Sequence, residues 1–352
     1  MWTWVSVVCS KLWHALIHMR KRMTFCPSAT PDDVSDLSRW MENLPSEIRK
    51  KPLLSLMIPG SHDSGSYGLK TSFGFAPDQG ELERAWWFKY FPRLTLRISK
   101  RWTKTQAADV TQQLLHGVRY LDLRGAPKFY QMDMSMEKSP SRTTKLFFVH
   151  ALYGPSLSKI ASHVRDFLDT HRGELVILHF QHFHAVSRVM ESQFLEELVR
   201  LFGHMICPFS PANARSSLDH LISKGYQVIL FFPSNSLVTS DKVWPSDYIP
   251  NPWANTTDIK CLQTFLDENL SQRKTDRFFV AQGVLTPDHA YIRDHFVSSL
   301  RKSLAEPCNK FMSSWVDMQA PGATGPNIVM ADFVDWNYYE LPRQIVLKNF
   351  NV

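Results

Sequence analysis

The sequence predicts an α/β fold in which one TIM-like (β/α) barrel, a single domain, occupies residues 40–352 after a leader of residues 1–39. Three observations predict it: strand-like apolar runs recur along the chain, helix-like stretches separate them, and seven or so strands in roughly 300 residues suit a closed barrel. An open doubly wound sheet is the alternative, although no glycine-rich nucleotide-binding fingerprint follows an early strand.

The predicted strands are short, nearly continuous apolar runs that are rich in β-branched and aromatic residues and bounded by Gly, Pro or charge. This composition is typical of buried parallel strands. In chain order the runs are 53–59, 118–125, 145–152, 174–181, 226–232, 277–285 and 327–334.

Helical patterns lie between these runs. The stretch 108–117 can begin on Asp109 as N-cap and end at Gly117, which suits the left-handed position after a helix. The stretch 155–173 has apolar residues at helical spacing and also ends on a glycine, and 191–203 is a third helical pattern. Alternating strands and helices predict a parallel sheet.

Polar side chains stand at the carboxyl ends of the predicted strands, where catalysis in such barrels takes place. Because strand ends meet on one rim, we expect these side chains to converge there. They are His62 and Asp63, Asp122 and Arg124, His150, His179 and Gln181, and Asp332.

Two histidines with carboxylate partners and a fixed cation suit phosphodiester cleavage. A neutral imidazole takes a proton from the attacking hydroxyl, and a protonated one gives a proton to the leaving oxygen. A carboxylate on the far ring nitrogen fixes the tautomer. An arginine stabilises the charge that develops on the phosphoryl oxygens.

The motifs that carry these residues resemble the X domain of phosphatidylinositol-specific phospholipase C, and most closely the stand-alone X-domain-containing proteins. The similar region runs from about Trp40 to Asn351. Its motifs are IPGSHDSGSYG at 58–68, WTKTQ at 102–106, GVRYLDLR at 117–124, FVHALYG at 148–154, PWANTT at 252–257 and NIVMADF at 327–333.

The resemblance implies a distorted TIM (β/α) barrel and a reaction in which the inositol 2-hydroxyl attacks phosphorus and diacylglycerol leaves. It also implies the roles of six residues. His62 is the general base and Asp332 its orienting carboxylate, His150 is the general acid with Asp63 as partner, Arg124 clamps the phosphate, and Asp122 supports this cluster.

The same comparison predicts a metal-independent enzyme without cofactors. Arg124 stands where the signalling enzymes of the family carry a calcium ligand, and a guanidinium can replace the charge of a metal but cannot bind one. His179 and Gln181 are expected to line the substrate pocket. A lysine acts near this position in the bacterial type, so Gln181 leaves the head group open. We consider a metal site at His179, His182 and His184 the weaker interpretation.

The net charge of +7 favours an anionic partner. We expect a phosphoinositide or related phospholipid substrate and peripheral membrane contact. No nucleic-acid-binding module is recognisable, so no nucleic acid is expected. Five scattered cysteines predict a reducing compartment and hence a cytoplasmic protein, with peripheral membrane association as an option.

Two segments have an open interpretation. The leader, with Trp2, Trp4 and Trp13 ahead of a basic cluster at 20–22, is either an interfacial helix or disordered. The aromatic and basic stretch 81–94 either docks on a bilayer or packs on the barrel.

Two rival functions fit the same residues. The chain could be a catalytically weak pseudoenzyme that binds phosphoinositide head groups, or a hydrolase of another phosphodiester. Two histidines around one phosphate favour the enzyme, because a binding module has no need of them.

Overall fold

The computed structural model describes residues 36–79, 90–128, 145–236 and 238–350. The compact unit that contains the barrel begins at Asp36. Most of the leader and most of the stretch 81–94 lie outside the described residues, so both interpretations of each stay predictions.

The sheet has eight strands in the described residues. Their bounds are β1 Ile58–Ser61, β2 Tyr120–Lys128, β3 Lys145–His150, β4 Leu152–Ser156, β5 Val176–Phe183, β6 Val228–Phe231, β7 Val280–Gly283 and β8 Ile328–Ala331. All seven predicted runs overlap a strand, although run 53–59 shares only its last two residues with β1 and has a 3₁₀ turn at Leu53–Ser55. Strand β4 was not predicted, and only its first residue lies within a predicted run.

Six parallel strands form the barrel wall in the order β6–β5–β2–β1–β8–β7. The remaining two form a hairpin, because β3 pairs antiparallel with the distal half of β2 and β4 pairs antiparallel with β3. The prediction that run 145–152 is a parallel barrel strand is therefore wrong. Most of β3 is buried, with Leu146 and Phe148 in the main core, so its composition resembles that of a parallel strand.

The barrel is distorted where β6 and β7 face each other without pairing directly in the described residues. The irregular segment 244–250 bridges them. Trp244 N donates to Leu230 O at 2.8 Å on the β6 side, and Phe278 N donates to Tyr248 O at 2.9 Å on the β7 side. Main-chain hydrogen bonding is thus continued across the gap by a segment that is not a regular strand.

The helices of the described residues surround the sheet. They are α1 Ser46–Arg49, α2 Pro92–Thr103, α3 Val110–Leu115, α4 Leu157–Thr170, α5 Arg188–Phe202, α6 Pro211–Ala214, α7 Leu218–Ser223, α8 Ile259–Ser271, α9 His289–Asp294, α10 Glu306–Asp317 and α11 Glu340–Lys348, with a π-helical turn at Arg301–Ala305 directly before α10.

The three predicted helices are confirmed as α3, α4 and α5, and their caps explain their bounds. Asp109 accepts a hydrogen bond from Gln112 N at the start of α3, and Gly117 beyond its end has a φ of 97°. The start of α4 has Ser156 as its N-cap in the same way.

Alternation along β2 decides which residues enter the barrel. Leu121 and Leu123 belong to the hydrophobic core that the sheet shares with α4. Tyr120 and Asp122, which alternate with them, therefore face the barrel interior. Polar residues on a buried strand are thereby brought to one enclosed face.

A buried ion pair joins the start of the compact unit to the barrel. Arg119 and Glu174 are both fully buried, and Arg119 Nη2 lies 2.7 Å from Glu174 Oε2. Arg119 also donates to Ser38 O, and Glu174 accepts from Glu42 N. Burial lowers the pKa of Arg119 and raises that of Glu174, so desolvation outweighs the attraction between them.

Glu174→Gln should lower the free energy of unfolding by about 3–5 kcal/mol, because it leaves the Arg119 guanidinium buried without a counter-charge. Urea denaturation followed by circular dichroism measures the loss. The exposed pair of Glu196 and Arg200, 3.7 Å apart, supplies the control. Glu196→Gln should cost less than about 1 kcal/mol, and equal losses in the two variants would contradict the prediction.

Candidate active site

His62 and Asp63 lie in a tight turn directly after β1. Asp63 has a φ of 44°, a left-handed conformation that a non-glycine residue adopts only when its surroundings enforce it. Asp63 N donates to the Oδ2 atom of Asp122 at 3.0 Å, and Ser64 N donates to Asp122 O at 2.9 Å. The turn is thus bound to β2 through one residue.

Asp332 follows β8 and reaches His62 across the β1–β8 pair. The Nδ1 atom of His62 lies 2.7 Å from Asp332 Oδ1, a hydrogen-bond distance. A carboxylate only accepts, so Nδ1 carries the proton and Nε2 is the nitrogen left to exchange one. The residue after Asp332, Phe333, also has a φ of 44°.

Asp63 lies at the centre of the cluster. Its Oδ2 atom is 3.3 Å from His62 Nε2 and also 3.3 Å from His150 Nδ1. Its Oδ1 atom is 2.9 Å from Arg124 Nε. Neither oxygen of this fully buried carboxylate accepts a hydrogen bond of good geometry from a described residue, so the contacts are Coulombic.

His150 reaches the cluster from the antiparallel hairpin and not from a barrel strand. Its Nδ1 atom lies 2.7 Å from the carbonyl oxygen of Thr103, closer than Asp63. Thr103 is the last residue of α2, where main-chain carbonyls lack partners within the helix. A cation or ring N–H is favoured there. A main-chain acceptor has no sequence signature, so sequence reasoning named only Asp63.

The charges of the cluster set its protonation. Burial alone would lower the pKa of His62, but the carboxylates of Asp63, Asp332 and Asp122 raise it to about 9. Burial would raise the pKa of Asp63, yet the cations around it, Arg124 foremost, hold it below the usual 3.8. Below about pH 9, an imidazolium therefore faces an ionised carboxylate.

Asp122 and Arg124 differ in their partners. Burial and then the charge of Asp63 raise the pKa of Asp122, whose Oδ2 atom is 3.9 Å from His62 Nε2. An ion pair of Asp122 with Arg119 does not form, because Arg119 binds Glu174. Arg124 is partly accessible, with 22% of its side chain exposed, so its guanidinium can meet a ligand.

His179 and Gln181 lie on β5, the strand next to β2, and His179 is in register with Asp122. Tyr120 joins the two, because its hydroxyl is 2.8 Å from His179 Nδ1 and accepts from Gln181 Nε2 at 3.5 Å. Burial and then the charge of His182 lower the pKa of His179 to about 3, so the ring is neutral. Tyr120 was missed in the sequence, although alternation with Asp122 in GVRYLDLR is the signal for it.

Two groups of side chains were considered as possible ligands of a metal ion. His62, Asp63 and Asp122 each offer a ligand atom within 4.8 Å of the others. Arg124 pairs with Asp63, so its guanidinium already offsets part of the negative charge of this group, and the absence of a metal stays a prediction. The second group, His179, His182 and His184, is not brought together as a metal site within the described residues.

Known proteins of similar sequence share most of the chain. PI-PLC X domain-containing protein 3 from Homo sapiens is 34% identical over 300 residues, 85% of this chain and 90% of that one. Protein 2 from Mus musculus is 33% identical over 299 residues, 84% of this chain and 83% of that one. The chain belongs to the PI-PLC X domain-containing protein family. No protein-family model matches it.

Solved structures show that this family member shares its fold with bacterial enzymes. Phosphatidylinositol-specific phospholipase C from Listeria monocytogenes superposes with a TM-score of 0.61 at 16% identity, covering 89% of this chain and 98% of that one. The Staphylococcus aureus protein gives 0.60 at 18% identity, with 88% and 97% covered. The predicted distorted TIM barrel is confirmed.

The protonation of His62 can be tested without a substrate. NMR titration of the imidazole should give a pKa near 9, and Asp332→Asn should bring it down toward the ordinary 6.5, because a neutral amide no longer favours the imidazolium. Asp335→Asn, three residues on and paired with Arg301, is the control and should leave the titration unchanged.

The same shift predicts a pH dependence of stability. The folded-state pKa of His62 is above its unfolded value of 6.5, so its contribution is complete below pH 6.5 and is lost as the pH rises through about 9. An Asp332→Asn variant in which His62 titrates as in the wild type would contradict the assignment of the raised His62 pKa to Asp332.

Proposed function

We propose that this chain is a phosphoric diester hydrolase that cleaves phosphatidylinositol or a related phospholipid. One observation carries the proposal: two imidazoles, His62 and His150, have ring centroids 6.3 Å apart, with the Asp63 carboxylate between them and Arg124 beside it. The family relatives bear the PI-PLC name, and the bacterial proteins of the same fold are phosphatidylinositol-specific phospholipases.

The proposed reaction needs one proton acceptor and one proton donor. His62 Nε2, when neutral, accepts the proton of the head-group hydroxyl whose oxygen forms the new bond to phosphorus. The bond between phosphorus and the glycerol oxygen breaks, and His150 gives its Nε2 proton to that oxygen. Diacylglycerol leaves, and the phosphate remains as a cyclic diester. Each histidine would contribute on the order of 10²–10⁴ in rate.

The remaining groups fix the tautomers of the two histidines and stabilise the charges that develop in the reaction. Asp332 keeps the proton of His62 on Nδ1, and Thr103 O does the same for His150. Arg124 stabilises the phosphoryl oxygens as charge develops on them, and no metal is needed for that step. Asp63 and Asp122 stabilise whichever imidazole is positively charged.

The head group is proposed to lie against β5. His179 is neutral and Gln181 is an amide, so this wall offers hydrogen bonds without charge. Such a wall suits the hydroxyl groups of a polyol. Inositol is therefore the head group that we favour.

Membrane contact is proposed at the carboxyl-end rim of the barrel. Of the nine exposed large hydrophobic residues among the described positions, eight belong to segments that follow strand ends; only Met318 does not. The eight are Tyr90, Phe91, Leu94, Val189, Trp253, Phe296, Val297 and Tyr338. No helix of the described residues could cross a membrane. The cytoplasmic location stays a prediction.

Helix α2 has the features of an interfacial helix. It contains four basic residues and no acidic one, Leu94 is exposed, and Phe91 caps its start. Arg101 donates to the carbonyl oxygens of Phe296 and Val297, which joins the helix to a second apolar part of the rim. An anionic lipid surface suits this combination of charges and exposed apolar groups.

A head-group-binding module with little turnover is the second candidate. The raised pKa of His62 favours it, because a base that keeps its proton up to about pH 9 is mostly inactive at neutral pH. The two candidates differ in turnover and not in binding.

Inositol phosphate release from phosphatidylinositol vesicles in excess chelator should be measurable with the wild type. His62→Ala and His150→Ala should each lower it by about 100-fold or more. His204→Ala, an exposed histidine on another part of the barrel, should release at the wild-type rate. Release that does not depend on His62 and His150 would contradict the hydrolase. Loss of activity in chelator would contradict the metal-free mechanism.

Vesicle sedimentation tests the rim. Joint substitution of Phe91, Leu94, Phe296 and Val297 by Ala should weaken binding about tenfold or more, because each apolar side chain loses its transfer into lipid. Met318→Ala removes an equally exposed side chain away from the rim and should bind like the wild type. If the folded quadruple variant binds vesicles as well as the wild type, the proposed membrane contact at the rim is contradicted.

A further inference from the structure

Gln106 is a fully buried residue between α2 and α3 that contacts the ends of two barrel strands. Its Nε2 atom donates to His62 O at 3.0 Å and to Ala331 O at 2.9 Å. Its Oε1 atom accepts from Val334 N at 3.1 Å. Both amide protons and the amide oxygen are therefore used on the two segments that carry His62 and Asp332.

The regular pairing of these strands stops at the same point. The last residues in register are Ser61 of β1 and Ala331 of β8. His62 N still donates to Ala331 O at 3.1 Å, and beyond it both chains turn into left-handed conformations at Asp63 and Phe333. The amide of Gln106 continues the cross-link between the strands where the main chain no longer can.

Thr105 binds both strained residues. Its hydroxyl lies within hydrogen-bond distance of Asp63 O, at 3.3 Å, and of His62 O, at 3.0 Å. Its carbonyl oxygen accepts from Phe333 N at 2.6 Å. Left-handed residues persist only where several contacts enforce them. Thr105 contacts Asp63 and Phe333 directly, and Gln106 binds the residue next to each of them.

We propose that Gln106 is a positioning residue: it holds the ends of β1 and β8 at the separation that the His62–Asp332 hydrogen bond requires. The role rests on the proposed function of His62 as general base. The Gln106 amide has no hydrogen bond to the His62 ring or the Asp332 carboxylate, and it acts through the main chain of His62, Ala331 and Val334.

Gln113 shows what a purely structural glutamine looks like in the same part of the chain. It is also fully buried, and its Nε2 atom donates to Ser64 O at 3.0 Å and to Ala108 O at 2.8 Å. Its side chain binds the turn after β1 but makes no hydrogen bond to β8 or to the segment after it within the described residues. Gln113→Leu is therefore the matched control for Gln106→Leu.

The two substitutions change no charge. A change in the pKa of His62 therefore reflects a change in the distances between His62 and its charged neighbours. The charged or titratable groups that face His62 are Asp63, Asp122, Asp332 and His150, and none is altered. A longer Nδ1–Asp332 separation weakens both the attraction and the hydrogen bond that favour the imidazolium.

The experiment is NMR of the His62 ring in the full chain. Gln106→Leu should move the Nδ1 proton resonance upfield, as expected for a weakened hydrogen bond, and bring the pKa of His62 down from about 9 toward 6.5. Gln113→Leu should destabilise the fold comparably and leave both signals unchanged. Should Gln106→Leu fail to fold, Gln106→Asn is used, since its shorter side chain cannot span both strands.

A folded Gln106 variant in which His62 titrates as in the wild type would overturn the proposal. The same holds if Gln113→Leu shifts His62 as far as Gln106→Leu does. Turnover adds a second measurement, in which kcat should fall at least several-fold with KM little changed. The titration does not need turnover, so an inactive wild type would overturn the proposed function without deciding the role of Gln106.

Discussion

The carboxylate of Asp63 is the charge on which the rest of the site depends. A buried anion is tolerated only when cations surround it. Here two imidazoles lie 3.3 Å from one of its oxygens and a guanidinium 2.9 Å from the other. The same compensation favours positions close to Asp63 for His62, His150 and Arg124, although they come from the turn after β1, the hairpin and β2.

Geometry around Asp63 comes mainly from main-chain contacts. The carboxylate is held by a left-handed turn whose N–H groups bind Asp122, and the ring of His150 is held by the Thr103 carbonyl. Gln106 is inferred to do the same for the ends of β1 and β8. Groups that carry no charge thus determine the distances between groups that do.

The sequence predicted the parts of this molecule that depend on composition. Strand runs, helix caps and the clustering of polar residues at strand ends follow from local patterns, and the five predicted catalytic residues other than Asp63 do lie together with it. Pairing direction does not follow from composition, because the four central residues of β3 are buried like those of a barrel strand. Partners that are main-chain atoms, such as Thr103 O, have no sequence signal, and WTKTQ gave a motif without a role for Gln106.

Helix α2 has one further consequence for the cluster. Its start is exposed at Phe91, and its last carbonyl binds His150, about 18 Å away for 12 residues at 1.5 Å each. A shift of α2 as a rigid body would therefore move the carbonyl that holds the His150 ring. Helix α2 thus connects an exposed position at Phe91 to the ring of His150. We therefore expect that substitutions at the start of α2 can alter the orientation of His150 without touching it.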